Sequence, residues 1–127
     1  NSIHLESYKK NFEDHINLYK KIDIALDTFP YNGVTTSFEA LWMNVPVITM
    51  KGYNFNSRCG ESINKNMDLS YLIAKDEDDY IRIALGLSQN IDKLNLIRKK
   101  VFESAPNSPL FDVDNFSKKF FEIIKNL

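Results

Sequence analysis

The sequence predicts an α/β fold, a partial parallel sheet wrapped by helices and ending in a helical tail. Three observations carry this. Short apolar, β-branched runs at residues 22–26 and 45–50 alternate with stretches of helical period. Residues 23–39 read as a strand, a turn rich in Asp, Pro, Asn and Gly, and the opening of a helix. From Asp76 onward the period is helical.

Taken in order, Ile3, His4 and Leu5 read as the tail of a strand, and residues 8–21 place Tyr8, Phe12, Ile16 and Tyr19 at helical spacing. Residues 22–26 form a second, buried strand. A helix over residues 36–43 turns Phe38, Leu41 and Trp42 inward, and Asn44 stops it. Pro46 fits the first position of the strand at 45–50, where a missing N–H costs least. Two successive βαβ crossovers result. Beyond Gly52, Ser57 is placed to cap a helix through Arg58, Ile63 and Asn64, and residues 69–74 add a further strand. Asp76 caps the next helix, with Tyr80, Ile83, Ala84 and Leu87 facing inward; Ile91, Leu94, Ile97, Arg98 and Val101 mark another, broken at residues 105–109. A last helix, starting near Asp114, aligns Phe116, Phe120, Ile123, Ile124 and Leu127 on one stripe that needs a partner surface.

At 127 residues the chain is one domain's worth. Its 16 basic residues nearly balance 17 acidic ones, so no net field draws it to nucleic acid or to an anionic membrane. Any phosphate has to be held locally. The lone Cys59 excludes an internal disulfide and a thiol-rich metal cluster, and it matches a reducing, cytoplasmic setting. No apolar run approaches the roughly 20 residues that span a bilayer, and Glu6, Glu13 and Asp14 stand where a signal sequence is apolar. A soluble cytoplasmic protein with no nucleic-acid and no membrane partner is expected. Because it begins at Asn1 without a methionine, the sequence reads as a piece of something longer.

Residues that bear chemistry gather at the turn after the second strand. In an open parallel sheet, ligands sit at the carboxyl ends of strands, and helix N-termini there offer unpaired N–H groups to phosphate. Gly33 permits a tight turn and close backbone approach, while Thr35 and Thr36 add hydroxyl donors, a combination that suits a pyrophosphate. The competing reading is a threonine that merely caps the helix. No Gly-Lys-Ser/Thr follows, so this is neither a P-loop nor the dinucleotide fingerprint. Glu39 likewise has two readings, a capping-box partner of the Thr36 amide or an acceptor for the hydroxyls of a ribose.

Elsewhere, structural roles suffice. His4 and His15 lack the spacing of a zinc site, and no metal is expected. Asp27, ahead of Thr-Phe-Pro, reads as an acceptor for turn amides, with acid–base catalysis by Asp23 or Asp27 disfavoured. Arg58, in a loop with Asn54, Asn56 and Ser57, reads as paired or solvated. The acids at 76–79 suit a helix start, and Lys118 and Lys119 a solvated face.

The strings Asp-Ile-Ala-Leu-Asp-Thr-Phe-Pro-Tyr-Asn-Gly at 23–33, Thr35-Thr36, Glu39-Ala40-Leu41-Trp42-Met43, residues 45–50 and Ser108-Pro109-Leu110-Phe111 together resemble the C-terminal part of the O-linked N-acetylglucosamine transferase and Spindly family. In that family a tetratricopeptide superhelix precedes a two-domain GT-B glycosyltransferase. The resemblance implies that residues 1–127 are the later portion of its second, Rossmann-like, donor-binding domain. It implies that Thr35 and Thr36, after Gly33, hold the diphosphate of a nucleotide sugar, that Glu39 takes the ribose hydroxyls, and that His15 lies near the base or ribose. Val34 stands where the animal transferases have histidine, and Phe12 replaces a lysine of the family. Glu39 is an aspartate in the N-acetylglucosamine enzymes and a glutamate in the Spindly-type fucosyltransferases, which leaves UDP-sugar and GDP-sugar donors both open.

The family's proton acceptor and a phosphate-binding lysine come from regions before residue 1. No catalytic residue is therefore expected here, nor any cofactor besides the donor substrate. The implied function is donor binding for a metal-independent, inverting transfer to Ser/Thr of an acceptor protein engaged through upstream regions, with the fragment inactive alone. Isolated, it is expected to self-associate through the last helix. A rival reading is a non-catalytic α/β interaction module that no longer binds nucleotide. A response-regulator-like domain with Asp27 as phosphoacceptor is disfavoured, because the acidic pair such domains carry near their start is missing.

Overall fold

The computed structural model describes residues 3–127. Strands β1 (Ala25–Leu26), β2 (Val47–Met50) and β3 (Ile73–Ala74) form a parallel sheet in the order β1-β2-β3. Ala25 sits beside Val47 and Leu26 beside Ile48; Thr49 then pairs with Ile73 and Met50 with Ala74. Central β2 is buried along its whole length, as expected for a parallel strand covered on both faces, and its β-branched run suits that place. Pro46 lies just ahead of β2, where its missing N–H does no harm and its carbonyl accepts from the Ala25 N–H at 3.0 Å.

Helix α1 (Phe12–Leu18) precedes β1, α2 (Thr35–Trp42) crosses from β1 to β2, and α3 (Cys59–Asn66) crosses from β2 to β3. Then come α4 (Glu77–Ser88), α5 (Ile91–Ser104) and α6 (Val113–Lys125), the expected helical tail. Parallel strands require such crossovers, and α2 ends where the sequence said it should. Asn44 adopts φ 63°, and the Asn44 and Val45 N–H groups return to the Leu41 and Ala40 carbonyls at 3.0 and 2.8 Å, a Schellman closure. The Asp76 side chain caps α4 by accepting from the Asp79 N–H at 2.8 Å. Around β2 the core gathers Leu41, Met67, Leu87 and Val101 from or beside α2, α3, α4 and α5.

Residues 3–5, expected to end a strand, form none. Ile3 and Leu5 are exposed, and an apolar triplet becomes a strand only where an edge is there to pair with it. The first of the two expected crossovers is therefore absent, and the turn of interest follows the first strand of the sheet. Tyr8 also lies outside α1, which starts at Phe12 because the Asn11 side chain caps it, accepting from the Asp14 N–H at 2.7 Å. Ser57 caps nothing; buried in its loop, its hydroxyl accepts from the Asn54 N–H at 3.1 Å. Trp42 is 55% exposed and leans on Phe111, ring centroids 5.1 Å apart, so it leaves the inner face of α2, which Ser37, Ala40 and Leu41 form with Phe38 packed against the core. No residue of α6 is buried, and its stripe of Phe116, Phe120, Ile123 and Ile124 is exposed.

Glu61 is a buried acid in α3 ringed by Lys65 at 2.8 Å, Arg58 at 2.9 Å and Lys51 at 3.6 Å. Arg58 is thereby paired, as its sequence context suggested. The Lys65 hydrogen bond, opposed by burial and aided by Arg58 and Lys51, pulls the Glu61 carboxyl down from 4.5 to about 2. Since the folded value lies below the unfolded one, the stability this group supplies is complete above pH 4.5 and is lost as pH falls toward 2. Chemical denaturation across that acid window is expected to show a steeper loss of stability for the wild type than for Glu61→Gln.

Candidate functional site

The site is built outward from Asp27, the residue after β1. Its N–H continues the ladder to the Ile48 carbonyl at 2.9 Å, and its carboxyl turns inward. Oδ1 accepts from the Gly33 N–H at 2.7 Å, and Oδ2 from the Thr49 hydroxyl at 2.7 Å. Asp27 thus accepts a turn amide, as expected. Burial pushes its carboxyl above the ordinary aspartate value, against the pull of those bonds. Between Asp27 and Gly33 the turn is pinned by the Thr28 hydroxyl donating to the Tyr31 carbonyl at 2.6 Å and by the buried Asn32 amide donating to the Thr28 carbonyl at 2.9 Å. Asn32 Oδ1 also accepts from the Gly60 N–H at 3.2 Å, tying the turn to α3. The Tyr80 hydroxyl donates to the Asp27 carbonyl at 2.8 Å, and burial pushes that phenol up to about 12.

Helix α2 then begins with no side-chain cap. Val34 occupies the N-cap position, where valine is a poor choice, and Thr35 and Thr36 are exposed beside first-turn amides that have no intrahelical partner. Such a helix start is rich in donors and positive in potential, which suits an anion. The threonine-cap reading is thus not what the structure shows. Position 33 is tight: a Cβ there would lie 2.5 Å from Thr36 Oγ1 and 3.2 Å from Ser37 Oγ, so any larger residue displaces the hydroxyls at the helix mouth.

One helical turn further, Glu39 Oε2 lies 2.9 Å from His15 Nε2 and accepts from the Tyr19 hydroxyl at 2.9 Å. A carboxylate only accepts, so Nε2 is the donor in this pair. The Tyr19 hydroxyl also reaches the Thr36 carbonyl at 3.3 Å. Burial, and after it the bond to Glu39, raises the Tyr19 phenol well above its ordinary value. The capping-box reading of Glu39 fails because α2 starts at Thr35, which makes Thr36 a helical residue.

Gly33, Thr35 and Thr36 therefore share one helix mouth, and His15 and Glu39 meet a turn below it; His4 is exposed. Periodicity alone had assigned Tyr19 to an apolar face. Its signal was the spacing of four from His15, which puts both on one side of the chain as it leaves α1. Buried Asn32 gave no signal beyond its place in a turn. A small cleft of about 160 Å³ opens beside the mouth, lined by residues that include Tyr19, Asp27, Gly33 and Thr36. Another, of about 710 Å³, runs past Val34 and Phe38 to α3. Among the described residues, no cluster of three or more His, Cys, Asp or Glu is placed to hold a metal ion, and no helix is long and apolar enough to cross a membrane.

A parallel sheet with α crossovers and a helical tail defines a Rossmann-like α/β unit of the GT-B kind. The chain belongs to glycosyl transferase family 41, whose model matches residues 5–120. It is 43% identical over 103 residues to the probable UDP-N-acetylglucosamine–peptide N-acetylglucosaminyltransferase SPINDLY of Eustoma exaltatum subsp. russellianum, an overlap of 81% of this chain and 11% of that protein. To the UDP-N-acetylglucosamine–peptide N-acetylglucosaminyltransferase of Caenorhabditis elegans it is 34% identical over 104 residues, 82% of this chain and 9% of that one. A mutant O-GlcNAc transferase of Thermobaculum terrenum matches it in structure with a TM-score of 0.82 at 34% identity, over 89% of this chain and 22% of the other. The family resemblance carried by the motif strings is thus correct, and the chain spans only about a tenth of the length of its curated relatives.

Removing the Asp27 carboxyl tests the scaffold of the site. Asp27→Ala strands the Gly33 amide and the Thr49 hydroxyl and is expected to cost about 2–3 kcal/mol of unfolding free energy, whereas Asp27→Asn, which keeps an acceptor for Gly33, costs about 1 kcal/mol, both read by urea denaturation.

Proposed function

We propose that residues 1–127 form the C-terminal, donor-binding portion of a GT-B protein O-glycosyltransferase, holding a nucleotide sugar of the UDP-N-acetylglucosamine or GDP-fucose type for transfer to Ser/Thr hydroxyls of a cytoplasmic acceptor protein. One observation carries the reading. The uncapped start of α2 presents exposed Thr35 and Thr36 after Gly33, directly above a glutamate that His15 and Tyr19 hold in place. Membership of family 41 and the names of the relatives support it.

In an inverting transfer the acceptor hydroxyl attacks the anomeric carbon as the bond to the diphosphate breaks on the opposite face. Negative charge then collects on the departing diphosphate. The α2 amides and the two threonine hydroxyls meet that charge, worth most in a site closed to water. Glu39 accepts from the ribose, with His15 at the nucleoside end. This chain supplies part of the donor site only; the group that deprotonates the acceptor and a phosphate-binding lysine belong to regions outside it, so the isolated fragment is inactive. Calorimetric titration of UDP and GDP into the full-length protein is expected to show saturable binding of one of them, weakened about tenfold or more by Thr36→Ala and by Glu39→Ala. Binding of neither nucleotide points instead to a non-catalytic interaction module.

Isolated from the rest of its domain, the fragment self-associates through α6, whose Phe116, Phe120, Ile123 and Ile124 are all exposed. Light scattering is expected to show the mean mass rising with concentration; a strictly monomeric species over the whole range refutes this.

A further inference from the structure

We propose that Tyr19 is a positioning residue that locks one oxygen of Glu39 so that the other is presented to the ribose, which makes the site select ribonucleotides over analogues lacking the sugar hydroxyls. This rests on the donor-binding reading above. A glutamate side chain has considerable rotamer freedom, so an unbraced Glu39 samples many orientations. Here two donors, His15 Nε2 and the Tyr19 hydroxyl, both converge on Oε2 at 2.9 Å, and among the described residues no donor engages Oε1. One oxygen is saturated while the other keeps its capacity to accept.

Tyr19 is the better brace of the two because it is itself fixed. It is buried, whereas His15 is half-buried. Its ring meets His15 edge-on, centroids 5.9 Å apart at 88°, so it also orients the second donor. Its hydroxyl lies 3.3 Å from the Thr36 carbonyl, which couples the height of the carboxylate to the first turn of α2, where the diphosphate cradle lies. A single donor would leave the carboxylate free to pivot about one bond; two donors from different directions remove that freedom. Burial keeps the phenol protonated, hence a donor, through the physiological range.

The test is Tyr19→Phe in the full-length protein, which keeps the buried ring and removes only the hydroxyl. Wild type and variant are titrated with the nucleoside diphosphate that the wild type binds, with its 2′,3′-dideoxy analogue, and with inorganic pyrophosphate. The expected result is about a tenfold loss for the ribonucleotide, with the dideoxy analogue and pyrophosphate unchanged within about twofold. An equal loss for all three ligands makes Tyr19 merely structural and overturns the proposal, as does no loss for any. If the wild type binds ribonucleotide and dideoxy analogue equally well, the donor-binding reading stands and the role given to Tyr19 falls. Should the wild type bind neither UDP nor GDP, the donor-binding reading itself fails and this inference with it.

Discussion

The geometry of the site depends on one half-buried carboxyl. Asp27 stands where β1 ends, and its two oxygens join the Gly33 amide at the head of α2 to the Thr49 hydroxyl in β2. The first turn of α3 is pressed against the same group. A Cβ on Gly60 would lie 2.6 Å from Asp27 Oδ2 and collide with the Thr49 hydroxyl. Burying a carboxyl in this way costs free energy, visible in its raised pKa, and two hydrogen bonds at 2.7 Å offset that cost. What results is a helix start whose position relative to the sheet is fixed by polar contacts on one side and by the apolar Ala40 and Leu41 on the other. Donors held by such a scaffold need little reorganisation when charge arrives.

Helix starts in this chain fall into two kinds. Side chains cap α1, α4, α5 and α6, through Asn11, Asp76, Asn90 and Asp112. No side chain caps α2 or α3, the two helices that cross between parallel strands. A cap is worth about 1 kcal/mol, so a valine at the head of α2 is a local loss of stability. The loss leaves the amides available, and α2 adds exposed threonines to them. At α3 the corresponding region is dominated by Glu61 and its three cations, an internally satisfied cluster. The two uncapped starts thus differ in their surroundings: at α2 exposed threonines stand beside unpartnered amides, and at α3 a buried acid is held by its own ion pairs.

Local signals in the sequence matched local structure well. Asn44 as a stop, Asp76 as a cap, Pro46 ahead of a strand and Asp27 as a turn acceptor depend on side chains within a few residues of the groups they serve. The Ser108-Pro109-Leu110-Phe111 string also had a local meaning that only packing revealed. Ser108 donates to the Asn66 carbonyl at 3.0 Å, and Phe111 meets both Phe38 and Trp42, so the string pins the chain back onto α2 and α3 before α6 departs. Ser57 lost its expected cap to a partner three residues away, Asn54, but two other failures came where a long-range partner decided the outcome. Residues 3–5 found no sheet edge, and Trp42 found an aromatic neighbour at the surface in place of the core.

By itself the sequence determined the α/β class, the helical tail, the strand–turn–helix segment that carries Gly33, Thr35 and Thr36, and the family. Each follows from periodicity, turn chemistry or a contiguous motif, all of which are encoded over short stretches of chain. Only the tertiary structure decided what Glu39 does. Its choice between the Thr36 amide and the His15–Tyr19 pair depends on where α2 begins and on how α1 lies against it, with partners 24 and 20 residues away in sequence. Hydrogen bonds between elements so far apart depend on packing of the whole domain, and no window of sequence contains that information.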